Sequence, residues 1–240
     1  MKNQLMPLLR CCKYFIFRKT HFSETGEDIV LNQFIDRSPG KFVDVGAHHP
    51  ITGSNTFGLY IKGWSGIAVE PQTKFNLLWK VFRRRDLLIN SPVSSKLEVV
   101  FHYFTNTLLN TINSKVANIH KSDNKWLSSV PMKAISLHSI LPFELNPLEN
   151  FVLSIDIEGA ELEALSTIDW KVQKPRLILV ESWEKPWIRG NETNAFLSKK
   201  HYKLEAYTGL TSVYVAQEFL NSRATLKEKL TQNARTNHEK

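Results

Sequence analysis

Residues 42–50, FVDVGAHHP, have the pattern of a buried β-strand that ends in a tight turn. The apolar run around Asp44 is typical of a strand covered on both faces, and Gly46 supplies the turn. Over residues 57–64 the apolar side chains then recur at the spacing of one helix face. Residues 66–69 form the next strand pattern, so this stretch predicts a β-α-β unit.

The same alternation of strand and helix patterns continues to residue 216. The other predicted elements are helices over 75–82, 162–168 and 192–200, and strands over 87–89, 97–104, 151–155, 177–180, 202–207 and 212–216. Continuous apolar strands between helices indicate a parallel sheet covered on both faces. The last two strands are joined by a tight turn at Gly209 and must be antiparallel. The predicted fold class is therefore α/β, with three layers and a mostly parallel sheet that has an antiparallel strand at the end.

The composition is that of a globular chain that can bury a full core. The chain has 240 residues, of which 42% are hydrophobic and 11% aromatic, which excludes a wholly disordered chain and a polytopic membrane protein. The two cysteines, Cys11 and Cys12, are adjacent, which excludes a disulfide scaffold and a cysteine-based zinc site. We therefore expect a cytoplasmic protein.

The net charge of +8 is carried by the two ends of the chain. Residues 1–22 carry +5 and residues 221–240 carry +3, so the sequence between them is neutral. A nucleic-acid-binding domain usually shows its excess positive charge on its own folded surface, and we therefore expect no nucleic-acid partner. The basic run inside the neutral part, residues 83–85, is predicted to be the solvated end of a helix.

The charges divide the chain into three parts. These are a basic N-terminal arm over 1–22, a folded domain over 23–220 and a charged C-terminal tail over 221–240. The least regular part of the domain, residues 105–150, contains three prolines. Together with Trp183 and Trp187, this part is predicted to form a cap that selects the substrate.

The N-terminal arm leaves two interpretations open. Residues 5–9 are apolar but interrupted by Pro7, so they are too short for a signal peptide or a membrane span. The arm is then either a partly ordered extension or a basic and aromatic anchor. In the second case residues 1–21 would contact the inner face of an anionic membrane as a peripheral anchor, with acylation at Cys11 or Cys12.

Polar side chains follow most of the predicted strands at the edge where open α/β sheets bind ligands. They are Asp44 with Gly46, Glu70, Asn90 with Ser91, Asp156 with Glu158, and Glu181. A row of carboxylates at one sheet edge repels itself unless a cation, a ligand or hydrogen-bond donors compensate it. The sequence therefore predicts a functional site at this edge.

The turn after the first strand limits the choice of cofactor. It lacks the G-x-G-x-x-G pattern of a dinucleotide site and the Gly-Lys-Ser/Thr of a P-loop, so phosphate binding is not expected there. Glu70 lies 24 residues after Gly46, near the roughly 20-residue spacing at which an acid accepts the ribose hydroxyls of a nucleoside. Ribose recognition without a phosphate cradle indicates S-adenosyl-L-methionine.

Two blocks of the sequence resemble the FkbM-type S-adenosylmethionine-dependent methyltransferases. They are residues 42–71, FVDVGAHHPITGSNTFGLYIKGWSGIAVEP, and residues 153–165, LSIDIEGAELEAL. The resemblance extends over about residues 24–216. It implies a class I methyltransferase (Rossmann-like) fold with seven strands and, usually, O-methylation of a hydroxyl on a sugar, a glycan or a small natural product.

The resemblance also implies roles for single residues. Asp44, Gly46 and Ala47 would form the cofactor loop, Glu70 would accept the ribose, and Ser54, Asn55 and Thr56 would open the first helix near the methionine part. After the third strand, residues 90–95, NSPVSS, lack the acid that the family commonly has there. This departure leaves Ser91 as the candidate adenine contact.

Methylation of an alcohol needs a base or a metal, because the hydroxyl does not ionise unaided at neutral pH. We expect Asp156 to face the donor and the acceptor, with Glu158 orienting the loop or serving as an alternative base. In an extended run these two side chains point to opposite sides unless the turn has begun. His48 or His49 is a further candidate base. A divalent ion shared by Asp156 and Glu181 is an alternative that we do not favour, so no metal ligand is predicted.

The leading hypothesis is thus an S-adenosylmethionine-dependent O-methyltransferase with a small-molecule or glycan acceptor. The alternative is a non-catalytic module of the same fold that docks through its basic termini. The change over 90–95 favours the alternative, whereas the intact Asp44, Glu70 and Asp156 oppose it. An RNA methyltransferase would need a basic domain surface. Methylation of nitrogen stays open, although no Asn/Asp-Pro-Pro-Tyr/Phe motif is present.

Overall fold

The computed structural model describes residues 21–121, 126–182 and 184–238. Within these ranges the strands are β1 (Lys41–Val45), β2 (Ser65–Val69), β3 (Leu87–Ile89), β4 (Glu98–Phe104), β5 (Trp126–Lys133), β6 (Phe151–Ile155), β7 (Leu177–Glu181), β8 (Tyr202–Tyr207) and β9 (Thr211–Ala216). The helices are α1 (Glu27–Leu31), α2 (Phe57–Ile61), α3 (Asn76–Phe82), α4 (Ser114–Lys121), α5 (Leu137–Ile140), α6 (Glu161–Ser166), α7 (Glu192–Lys199) and α8 (Gln217–His238), with a 3₁₀-helix over Thr107–Leu109.

Seven of the strands form one sheet in the order β3-β2-β1-β6-β7-β9-β8. The first five are parallel to their neighbours in that order, whereas β9 runs antiparallel to both β7 and β8. This sheet confirms the predicted fold class. Because Val45 pairs with Val69 on one side and with Ile155 on the other, the carboxyl ends of β1, β2 and β6 lie side by side.

A continuous apolar core packs the sheet against its helices. The central strand β6 is buried along its whole length, and β7 is buried up to its last residue, as expected for strands covered on both faces. Leu59 of α2, Leu165 of α6 and Leu197 of α7 belong to this core. Burying one such leucine contributes about 1.5–3 kcal/mol.

The predicted strand over 97–104 is β4, and it pairs with β5 outside the main sheet. The two strands form an antiparallel hairpin in which β4 precedes the irregular region 105–150 and β5 lies within it. A backbone hydrogen bond of 2.8 Å from Ala134 to Leu97 continues the pairing at its base. The hairpin places the loop over 106–112 at the carboxyl edge of the parallel strands.

The basic run at 83–85 is not uniformly solvated, and the prediction is wrong for Arg83. This residue is 1% exposed and forms an ion pair of 2.6 Å with Asp86. Its guanidinium also lies 4.7 Å from the ring centroid of Trp79. A buried guanidinium needs such partners, because an uncompensated buried charge costs several kcal/mol. The two arginines that follow it are exposed, as predicted.

The ends of the chain are described only in part. Helix α8 runs through most of the segment that the sequence indicates as a charged tail. The basic arm over 1–22, with Cys11 and Cys12, lies outside the described residues except for its last two positions. Among the residues that the structure describes, no helix combines the length and the hydropathy that a membrane span requires.

Candidate active site

A cavity of about 290 Å³ opens at the carboxyl edge of the parallel strands, where open α/β sheets bind ligands. It lies between the ends of β1, β2, β6 and β7 and the loop over 106–112. Seven carboxylates line it: Glu24, Glu27, Asp44, Glu70, Asp156, Glu158 and Glu181. Among the described lining residues there is no Lys or Arg, and His48 and His49 are the basic side chains. The cavity is therefore strongly acidic.

The turn after β1 brings the backbone against the turn after β6. Gly46 has a φ of 78°, a left-handed conformation that glycine adopts readily. A Cβ atom at this position would lie 1.7 Å from the carbonyl oxygen of Asp156. The backbone N–H groups of Gly46 and Ala47 donate to the Val69 carbonyl at 2.9 and 3.2 Å. The sequence thus needs glycine here both for the backbone angle and for the close approach.

Asp44 is held from behind by a chain of two hydrogen bonds. The Thr56 hydroxyl donates to Oδ2 of Asp44 at 2.6 Å and accepts from Nη2 of Arg83 at 2.9 Å. Burial raises the pKa of Asp44, while the Thr56 hydrogen bond and the Arg83 charge oppose this rise. Thr56 is 0% exposed and does not line the cavity. The prediction that Thr56 contacts the cofactor therefore does not match its position, since its hydroxyl is used by Asp44.

Two further predicted cofactor contacts line the cavity and are fixed by hydrogen bonds. Asn55 donates from Nδ2 to Oγ of Ser154 on β6 at 3.1 Å. Ser91 donates from Oγ to the Lys133 carbonyl at 2.8 Å, which ties the end of β3 to the hairpin. Both side chains thus have a protein partner in addition to any ligand.

Glu70, at the end of β2, is buried, and two backbone hydrogen bonds fix the orientation of its carboxylate. Its Oε2 accepts from the backbone N–H of His48 at 2.9 Å, and its Oε1 accepts from the N–H of Gln72 at 2.8 Å. A carboxylate has about four acceptor sites, so acceptor capacity remains on the side that faces the cavity. Burial raises the pKa of Glu70, and these backbone hydrogen bonds oppose the rise.

His48 is a structural element of the turn after β1. Its Nε2 lies 3.0 Å from Oγ1 of Thr107, and its carbonyl accepts from Nε1 of Trp79 at 2.9 Å. Burial, followed by the charges of His49 and Lys74, lowers the pKa of His48 to about 4. At neutral pH its imidazole is uncharged and a weak base. His49 accepts backbone hydrogen bonds at Nδ1 from the two residues after Pro50.

Three carboxylates converge beyond the ends of β6 and β7. Asp156, Glu158 and Glu181 each offer an oxygen atom, and these atoms lie within 4.8 Å of one another. The turn begins directly after Ile155, so the stated exception applies and Asp156 and Glu158 do not point to opposite sides. Glu158 has a φ of 56° and Gly159 one of 90°, so the strand alternation no longer applies.

The convergence changes the protonation of these acids. The Asp156 side chain is exposed to the cavity, and its pKa is raised well above its ordinary range by desolvation among the surrounding groups, and then by the charge of Glu181, with which it shares a hydrogen bond. Burial and the Asp156 charge raise the pKa of Glu158 to about 8. Two carboxyl groups that share a proton titrate as a unit. At neutral pH the cluster therefore carries fewer than three negative charges.

Glu161 shapes this turn, and the sequence analysis did not single it out. Its Oε1 accepts from the backbone N–H groups of Ile157 and Gly159 at 3.1 and 2.9 Å. It therefore orients the loop, the role that the sequence analysis offered to Glu158. The signal was present, because acidic side chains are favoured in the first turn of a helix, where the backbone N–H groups are free.

The loop over 106–112 covers the cavity, but the rest of the predicted 105–150 cap does not line it. Thr111 donates from Oγ1 to the Glu158 carbonyl at 2.8 Å, which fastens the loop to the β6 turn. Asn110 in this loop is a lining residue that sequence reasoning missed. Trp187 is 59% exposed and does not line the cavity, and Trp183 lies outside the described residues.

The cavity thus brings together nearly all the predicted site residues. Its lining includes Asp44, Gly46, Ala47, Asn55, Glu70, Ser91, His48, Asp156 and Glu158, with Thr56 behind the wall. Acidic and amide side chains of this kind accept hydrogen bonds from ribose and ammonium groups and attract cations. They do not favour a phosphate.

Comparison with protein families places a known domain on this part of the chain. Residues 44–204, about two thirds of the sequence, match the methyltransferase FkbM domain. The match begins inside β1 and ends inside β8, so it contains every strand end that borders the cavity. A comparison with curated proteins gave no match. The extent of the domain match shows that the chain belongs to the FkbM methyltransferase family.

Proposed function

We propose that this protein is an S-adenosylmethionine-dependent O-methyltransferase that acts on a hydroxyl of a sugar, a glycan or a small natural product. The observation that carries the proposal is the charge of the cavity: seven carboxylates without a described Lys or Arg. S-adenosylmethionine has a sulfonium and an ammonium group, so it is a cationic nucleoside. Dinucleotides and nucleoside triphosphates carry phosphates, which this lining would repel.

The residues present fit this cofactor. Glu70 has the position and the remaining acceptor sites for the ribose hydroxyls, and its two backbone partners fix its orientation. Gly46 is part of the cavity wall, and its missing side chain lets this turn pack against the Asp156 carbonyl. Asp44 would accept a hydrogen bond from the ammonium of the methionine part, and Asn55 would donate one to its carboxylate. Ser91, which lines the cavity, would contact the adenine.

When bound, S-adenosylmethionine supplies a methyl carbon that an acceptor oxygen attacks in line, while the C–S bond breaks and its electron pair stays on sulfur. The protein then has to orient the acceptor and take the hydroxyl proton. Orientation alone can contribute several kcal/mol. Glu158 or the Asp156–Glu181 pair would receive the proton, because a carboxylate with a raised pKa is a stronger base.

The same three carboxylates leave a divalent cation open as an additional component. Their oxygens within 4.8 Å of one another could bind one ion, which would lower the pKa of the acceptor hydroxyl. We favour proton transfer to a carboxylate without a metal. Activity that persists after exhaustive chelation would support this choice, and activity lost to chelation and restored by Mg²⁺ would contradict it.

The cofactor proposal is tested by calorimetric titration with S-adenosylmethionine and S-adenosylhomocysteine. We expect saturable binding that Glu70→Ala weakens at least tenfold, ~1.4 kcal/mol. Glu98→Gln, on the exposed start of β4, is the matched control and should bind like the wild type. Absence of binding at millimolar cofactor would refute the proposal and would favour the non-catalytic docking module.

A further inference from the structure

The cavity has two ends that differ in position along the sheet. Glu70 lies at the end of β2, whereas Asp156 follows β6 and Glu181 ends β7. In the sheet order, β6 is two strands and β7 three strands away from β2, which corresponds to about 10 and 14 Å. If Glu70 accepts the ribose, the far end beside β6 and β7 is the part of the cavity left for the acceptor. Our inference therefore rests on the proposed function, in which Glu70 binds the ribose of the cofactor.

The far end is more acidic than the cofactor requires. Besides the Asp156–Glu181 pair it contains Glu158 and Glu24, and the negative charge of Glu24 acts on both Asp156 and Glu158. In the described part of the chain, no hydrogen bond or ion pair reaches the side-chain carboxylates of Glu24 and Glu158. By contrast, Glu27 accepts from Thr25 and Thr208. Two acids at this end are therefore left without a partner of opposite charge.

An independent observation in the wall of the same cavity indicates a ligand that bears an oxygen. Asn110 is 7% exposed, and its Oδ1 accepts from the backbone N–H of Phe104 at 2.8 Å. Its Nδ2 is buried and has no hydrogen-bond partner among the described residues. A buried amide donor without a partner costs about 1–3 kcal/mol, and a ligand oxygen would satisfy it.

Asn110 and Glu158 belong to one rigid corner of the cavity. Thr111, next to Asn110, donates to the Glu158 carbonyl, and Asn113 donates from Nδ2 to the Gly159 carbonyl at 2.6 Å. The loop that carries the unpaired Asn110 donor is thus fastened to the turn that carries Glu158, and Glu24 lines the same cavity. An anionic acceptor such as a sugar phosphate would meet only like charges here.

We infer that the acceptor carries a protonated amine close to the hydroxyl that is methylated, as in an amino sugar or an amino alcohol. The ammonium binds the carboxylate of Glu24, and Asn110 donates to an oxygen of the same molecule, while Glu158 stays available as a proton acceptor. The ammonium takes no part in the bond changes. The hydroxyl oxygen gains the methyl group, and its proton passes to a carboxylate of the protein. Specificity arises because the unpaired acids disfavour acceptors without a positive charge.

The test uses the full-length protein, S-adenosylmethionine with a labelled methyl group and three matched pools of acceptors. The first holds glucosamine, galactosamine, ethanolamine and serinol, the second their N-acetyl derivatives, and the third the 6-phosphates of glucose and galactose. We expect transfer to the amine pool at least tenfold above the other two, with the label on oxygen in the product. Equal or greater transfer to a neutral or anionic pool would overturn the inference. Transfer to nitrogen, or none to the amine pool although the cofactor binds, would overturn it too.

A variant pair assigns the preference to the far end of the cavity. Glu24→Gln should raise KM for the best amine at least tenfold with kcat nearly unchanged, and Glu98→Gln should leave both constants at wild-type values. Equal KM in Glu24→Gln and the wild type would contradict the role of Glu24. Because cofactor binding is measured separately by calorimetry, failure of this inference is distinguishable from failure of the proposed cofactor. Loss of transfer on chelation, restored by Mg²⁺, would assign the acids to a metal and overturn the inference.

Discussion

The Thr56 hydroxyl donates a hydrogen bond of 2.6 Å to Oδ2 of Asp44 and accepts one of 2.9 Å from Arg83. It therefore links a carboxylate in the cavity wall to a guanidinium in the core. The three groups are buried, and a buried polar group that loses its partner is costly. The position of Asp44 thus depends on two residues that do not line the cavity.

Thr56→Val tests this dependence. The valine keeps the shape of the side chain but removes the hydrogen bond to Asp44, so we expect affinity for S-adenosylmethionine to fall about tenfold, ~1.4 kcal/mol. Thr56→Ser retains the hydroxyl and should restore most of the affinity. Calorimetry on both variants is the measurement. Wild-type affinity in Thr56→Val would show that Asp44 is positioned without this hydrogen bond.

Arg83→Met is expected to destabilise the fold strongly. The change leaves the Asp86 carboxylate without its ion pair and removes the donors to Thr56 and to the Pro50 carbonyl. Breaking a buried ion pair in this way costs about 3–5 kcal/mol, measured as the free energy of unfolding in urea.

The neighbouring arginine provides the control for this measurement. Arg84→Met changes an exposed side chain and should stay within about 0.5 kcal/mol of the wild type. Similar losses in Arg83→Met and Arg84→Met would show that the basic run acts only through its net charge.

Gly46→Ala and Gly209→Ala separate steric collision from backbone strain. Both glycines have positive φ, 78° and 100°, so alanine is strained at either position by about 1–2 kcal/mol. At Gly46 the added methyl would also lie 1.7 Å from the Asp156 carbonyl oxygen, whereas at Gly209 it meets no atom within 4 Å. We therefore expect Gly46→Ala to lose at least about 3 kcal/mol and Gly209→Ala about 1 kcal/mol in urea unfolding. Equal losses of stability in the two variants would show that the turn after β1 can move away from the turn after β6.

The parallel sheet could be predicted because its strands are short, continuous apolar runs followed by polar residues. The run over 151–155 coincides with β6, and the acids at the strand ends line one cavity, as the topology rule requires. These features depend on local pattern and on a general property of parallel sheets. For this reason the position of the candidate site could be predicted from the local pattern of this sequence.

The internal geometry of the site could not be predicted, because it depends on contacts between distant segments. The burial of Arg83 requires the Pro50 carbonyl and the Thr56 hydroxyl, which lie 33 and 27 residues away in the sequence, and no spacing indicates that they meet. Thr56 belongs to the family motif, but the motif does not tell which side chains face the ligand. The positive φ of Glu158 likewise arises from the turn and from Glu161, not from the preference of glutamate itself.

The pH dependence of methyl transfer can distinguish the candidate bases. With the pKa of Glu158 raised to about 8, kcat/KM for the best acceptor should rise with pH up to about 8 if this carboxylate takes the proton. Glu158→Gln should then lower the rate about 10²–10⁴-fold and remove the rise. A profile that is already flat above pH 5 would indicate His48, whose pKa is lowered to about 4. A rise that persists in Glu158→Gln but moves to lower pH would indicate Asp156, which loses a negative neighbour.

The stability of the ligand-free protein should depend on pH through the same acid. In the unfolded chain the Glu158 carboxyl has its ordinary pKa of 4.5, and folding raises this pKa to about 8. Between these values the folded state binds more protons than the unfolded state, so the free energy of unfolding falls as pH rises. Glu158→Gln has no proton to lose at this position, and its stability should therefore fall less over the same interval.

Thermal unfolding of the wild type and of Glu158→Gln at pH 5.5 and 8.5 measures this difference. From pH 5.5 to pH 8.5 we expect the Tm of the variant to increase relative to the Tm of the wild type by about 3–6 °C. This difference corresponds to roughly 1–2 kcal/mol for a chain of this size. Glu98→Gln removes an exposed carboxylate and should follow the wild type at both pH values. Titrating groups that do not interact with Glu158 affect all three proteins equally, so the difference reports on Glu158 together with its neighbour Asp156. Parallel curves for Glu158→Gln and the wild type would mean that the Glu158 carboxylate is ionised in the folded protein throughout this range. A cation would then have to offset the repulsion among the acids beyond β6 and β7.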